Sequence, residues 1–126
     1  MYLPPVSPMT MYESPKDGVI TIKRAFAAPT AGTNTDIVAA VTGKKIRVIS
    51  AILTPGDFAT NAIAAFCTGG TTTVIANIHL VAATSNGVYL NRNDAGWFET
   101  NTGEKLNVAA GGNALNCQIT YVELTP

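Results

Sequence analysis

Charge is what this sequence has least of. Charged residues make up 13% of its 126 residues, against about 25% in a typical globular chain. Eight basic and eight acidic residues cancel to a formal net charge of +0. The basic residues are scattered, the longest runs being Lys44-Lys45 and Lys23-Arg24. No stripe of them neutralises a row of phosphates, so no nucleic-acid partner is expected. Little net charge keeps copies apart, which fits self-association or docking on a larger assembly.

Histidine is nearly absent too: His79 stands alone. A metal site needs several ligands and a general base needs a partner, so the expected place of His79 is an ordinary strand surface. The two cysteines, Cys67 and Cys117, lack CxxC spacing and are expected to act as small buried hydrophobes. A Cys67–His79 pair is the one nucleophilic combination available, but no helix N-terminus or cation near Cys67 lowers a thiol pKa. The Gly-Gly pairs at 69–70 and 111–112 have no phosphate-loop spacing. No stretch approaches the roughly 20 apolar residues of a membrane span, so no membrane partner is expected. The opening MYLPPVSPMT has neither a basic n-region nor an apolar h-region. Synthesis in a reducing cytosol is the expectation, where a disulfide is not the default.

What is present is β-sheet signal. Residues 18–26, GVITIKRAF, open the folded part as a β-branched run. Residues 36–41 read as a short strand. Residues 45–54, KIRVISAILT, are the strongest strand, with Ile46, Val48, Ser50 and Ile52 expected on one face and Arg47, Ile49, Ala51 and Leu53 on the other. Residues 62–68 and 72–83 flank Gly69-Gly70 as a hairpin, with Val74, Ala76, Ile78, Leu80 and Ala82 as its inward row. Asn86-Gly87 is a further turn before 88–90. The last strand, 115–124, should turn Leu115, Cys117, Ile119 and Tyr121 inward. The sum is an all-β chain of about eight antiparallel strands with a turn every ten or so residues, the pattern of a β-sandwich or jelly roll.

Residues 1–17 read as an extended N-terminal arm, and 18–126 as the folded domain. Pro4, Pro5, Pro8 and Pro15 remove backbone donors. Tyr2, Leu3, Val6, Met9, Met11 and Tyr12 are apolar beyond what a solvated tail needs. Two readings stand: a strap lying on a neighbouring surface, or simple disorder. Of the carboxylates, Asp94, Glu99 and Glu104 gather in sequence around Trp97. A glycan platform of Trp97 with Asp94 is one reading, and turn capping beside an aromatic core plug is the preferred one. No catalytic, cofactor or metal residue is assigned, so no enzyme and no cofactor are expected.

Three segments occur in order: VAAVTGKKIRV at 38–48, GWFETNTGEKLNV at 96–108 and TYVEL at 120–124. Together they resemble small virion proteins of tailed bacteriophages, over roughly the last three-quarters of the chain. The resemblance implies a β-sandwich or jelly-roll module carried on the phage particle, as a capsid decoration (cement) protein or a fibre head. It implies a homo-oligomer, with a trimer favoured, bound to the major capsid protein at the capsid surface. A fibre or tail module that binds a receptor or glycan is the alternative it leaves open. Residues 1–33 fall outside it.

Overall fold

A computed structural model describes residues 11–82 and 87–126. Among these the chain is all-β, with eleven strands and every pairing antiparallel. The strands are β1 (Met11–Ser14), β2 (Gly18–Thr21), β3 (Lys23–Ala27), β4 (Asn34–Val38), β5 (Lys45–Pro55), β6 (Ala62–Thr68), β7 (Val74–Leu80), β8 (Val88–Leu90), β9 (Phe98–Glu99), β10 (Leu106–Gly111) and β11 (Leu115–Leu124). A four-stranded sheet runs β4-β10-β6-β7. A five-stranded sheet runs β3-β11-β5-β8, with β9 also paired to β5. β1 and β2 form a separate hairpin. Asn86 of the expected Asn86-Gly87 turn lies outside the described residues.

The two larger sheets share one core. β6 and β10 send in Ala62, Ala64, Phe66, Leu106, Val108 and Ala110. β5 and β11 answer with Ile46, Val48, Ala51, Leu53, Leu115, Cys117, Ile119 and Tyr121. The alternation of β11 therefore sits as the sequence implies. Phe66 is fully buried and meets Phe98 with ring centroids 4.6 Å apart. An aromatic pair of this kind adds about 0.5–1.5 kcal/mol beyond its area.

β5 departs from the expected alternation. Ile46 and Val48 point inward, but so do Ala51 and Leu53. The register explains this: Thr120 pairs with Ser50 and Tyr121 with Val48, leaving Ile49 as an extra residue. That is a β-bulge, and it reverses the phase of everything after it. Ser50 and Ile52 thus leave the face of Ile46 and Val48. β7 shows the same effect: the register shifts between Phe66 and Cys67. Ala76, Ile78 and Leu80 face the core as expected, Ile75 joins them, and Val74 is exposed.

The expected run 18–26 is two strands in two sheets, parted at Ile22. The expected arm also ends earlier than residue 17. Met11–Ser14 pairs with Gly18–Thr21, and the hairpin lays Tyr12, Ile20 and Ile22 over Ile49, Val122 and Leu124 on the outer side of the five-stranded sheet. A small second core results. The extra residue Ile49 feeds it, fully buried, and burying such a side chain contributes about 1.5–3 kcal/mol. Tyr12, which covers this core, lies within the stretch 1–17 read as an arm.

Candidate functional site

The hairpin covers only one end of the outer sheet face. At the other end four residues stand in register across the strands: Phe26 of β3 pairs with Gln118 of β11, Gln118 with Ile52 of β5, and Ile52 with Tyr89 of β8. Paired residues project on the same side of a sheet. Phe26 is 59% exposed, Ile52 44% and Tyr89 64%. The bulge at Ile49 puts Ile52 there, since in unbroken alternation it would share the core face of Ile46 and Val48. In the next row Arg24 pairs with Thr120 and Thr120 with Ser50, whose hydroxyls are hydrogen-bonded to each other. A shallow groove of about 420 Å³ runs over Arg24, Phe26, Ile52 and Gln118. A second groove, about 300 Å³, continues toward Tyr89, Asn91 and Arg92. The face is apolar and neutral-polar, with Arg24 and Arg92 as its charges.

Along the β8–β9 edge, Trp97 and Phe98 part company. Phe98 packs on the core. Trp97 is 46% exposed, so the expected plug is Phe98 alone. Consecutive strand residues point to opposite faces, so one of the two had to face outward. The Trp97 indole Nε1 donates to the Asn91 carbonyl at 2.7 Å, and its backbone N–H donates to Val48 O at 2.9 Å. Gly96 makes the approach, with φ +86° and Arg47 so close that a Cβ would lie 2.6 Å from its Cγ. Asp94 is held by Arg92, Nε to Oδ1 at 2.7 Å. Trp97 therefore offers a ring face, while its N–H and the Asp94 carboxylate are engaged internally.

The other candidates do not converge. Cys67 is buried, and burial pushes its thiol pKa up. His79 is exposed and pairs with Ile63, four positions along β6 from Cys67, or roughly 13 Å of strand. The Cys117 thiol is buried in the core and pushed up to about 12. Both cysteines are free. For Glu99, burial pushes the carboxyl pKa upward, but hydrogen bonds from Arg47 and Lys45 outweigh it and hold it low. Glu104 lies over the turn at Gly69. Among the described residues no three of His, Cys, Asp and Glu gather as a metal site would require, and no helix is long and apolar enough to cross a membrane.

Of the six proposed arm contacts, Tyr2, Leu3, Val6 and Met9 lie outside the described residues. Tyr12 is a correction: it is buried under the hairpin, its hydroxyl donating to Asp94 O at 2.5 Å and accepting from Arg47 Nη1 at 2.9 Å. Met11 is half-buried, and its carbonyl accepts from Arg92 Nη2 at 2.8 Å. Tyr12 is therefore not a free contact for a neighbour. Phe26, Ile52 and Tyr89 were not singled out from sequence, because without the bulge and the register nothing places them together. No protein-family model and no curated protein matches the chain.

Proposed function

We propose that this chain is a bacteriophage virion structural protein of jelly-roll topology, acting as a capsid decoration (cement) protein that binds the assembled major capsid protein. The observation that carries the reading is the strand order. With β3 as the first strand, β11 as the eighth, and β8 and β9 together as the sixth, the two larger sheets run 1-8-3-6 and 2-7-4-5. That order is the one expected of a jelly roll of two nested Greek keys, an architecture used in viral capsid and lectin domains. Fold alone does not fix function. The surface supports the choice: low charge and an uncovered apolar half-sheet suit burial against protein.

Such a protein works by mass action. It binds the assembled shell and not the free subunits, so each bound copy stabilises the shell, and many weak contacts add through multivalency. Binding and assembly, without catalysis or cofactor, is the whole activity on this reading. The resemblance adds a trimer and a place on the capsid surface after synthesis in the host cytoplasm. Co-sedimentation of the purified protein with undecorated shells tests it. Saturable binding together with a raised shell disruption temperature is expected, and no binding at saturating protein contradicts it.

A receptor-binding fibre or tail module is the second reading, favoured by the exposed ring of Trp97. Aromatic faces stack on sugar rings. Quenching or shifting of Trp97 fluorescence by added glycans would support this reading over the first.

A further inference from the structure

We propose that the uncovered half of the five-stranded sheet docks a second copy of this chain, and that the second copy's N-terminal hairpin is what sits on it. Charge complementarity within the sequence carries the argument. Among the described residues, seven of the eight basic side chains have an acceptor. Lys23 pairs with Glu123, Lys44 with Asp17, Lys45 and Arg47 with Glu99, Arg92 with Asp94 and Lys105 with Asp36, while Lys16 donates to Pro126 O. Arg24 is the eighth. It is exposed beside the Phe26 row, and among the described residues it has no ion pair and no side-chain hydrogen bond.

The hairpin offers the complement. Glu13 pairs across it with Val19. Both are exposed, Val19 by 58%, and Glu13 forms no ion pair among the described residues. One strand pair thus presents a carboxylate beside an aliphatic knob. The half-sheet presents a guanidinium beside an apolar row. With a formal net charge of +0, no general repulsion opposes the contact.

Size sets the form of the assembly. Four strands by about five residues span roughly 320 Å² of sheet, using about 4.8 Å between strands and 3.4 Å per residue. A stable isolated contact buries about 800 Å² on each partner, so one such contact is weak. The contact is heterologous, hairpin on half-sheet, so every copy owns both halves. A closed ring then gives each copy two contacts. This inference does not depend on the virion reading.

Sedimentation velocity over a concentration series, on wild type, R24E, E13R and the double variant R24E/E13R, tests it. Wild type should associate. Each single reversal should shift association to at least about tenfold higher concentration, because it sets like charges together at the contact. The double reversal should restore it. Both sites are exposed, so far-UV circular dichroism, and the thermal midpoint measured at a concentration where wild type is dissociated, should stay unchanged and separate lost contact from lost fold. A wild type that is monomeric throughout overturns the proposal, even if shell protein covers the same face. So does a folded double variant that fails to recover.

Discussion

Phe66 is the side chain on which the main core depends most. It is fully buried on an inner strand of the four-stranded sheet and packs against Phe98 with the rings tilted by 38°. Phe66→Ala should cost about 3–5 kcal/mol, read as a lowered midpoint in urea unfolding. The two thiols make a second test at this scale. Burial raises the pKa of both, and thiolate is the reactive form. Cys67 and Cys117 should therefore resist a thiol reagent in the native protein and react together once urea unfolds it. Fast labelling of either in native buffer would contradict the packing. The buried place of both cysteines and the strand-surface place of His79 were legible beforehand, because neither residue type has a partner nearby in sequence. Trp97 was less so. Adjacent aromatics compete for one core slot, and only the pairing of Phe98 with Val48 decides which fills it.

At the scale of elements, the hairpin β1-β2 and the bulge at Ile49 act together. The bulge supplies an extra buried side chain on the outer sheet face, and the hairpin covers it. Asp17, near the hairpin turn, fastens it. Its carboxylate accepts from the Thr125 backbone N–H at 2.8 Å, from the Thr125 hydroxyl at 2.6 Å and from Lys44 Nζ at 3.0 Å. These bonds, the Thr125 backbone bond first, hold the Asp17 pKa well below its ordinary 3.8. A depressed folded-state pKa gives stability that is full above the unfolded value and is lost as pH falls through the folded one. Below about pH 4, wild type should lose stability that D17N never had. The gap between their urea midpoints should therefore narrow from pH 7 to pH 2. A truncation after residue 17 should lower the thermal midpoint by exposing Ile49 and Val122. Strand existence was readable from β-branched runs and Gly-Gly or Asn-Gly turns. The bulge was not. In KIRVISAILT both alternating phases carry apolar residues, so the pattern is equally consistent with an unbroken strand. The same ambiguity hid the hairpin, because prolines at 4, 5, 8 and 15 made the first seventeen residues look uniformly extended.

For the whole molecule, three features point the same way: a sequence low in charge, a sheet face that none of the described residues covers at one end, and a sheet order that supports a jelly roll. The proposed reading, a module held against other subunits, rests on these three together. The half-sheet carrying Phe26, Ile52 and Tyr89 was invisible in sequence because its members come from three strands far apart in the chain. Cryo-electron microscopy of intact virions tests the central claim most directly. Density fitting this domain is expected on the outer capsid surface, in contact with the major capsid protein. Density confined to the tail or fibres, or a virion lacking the protein, would contradict it.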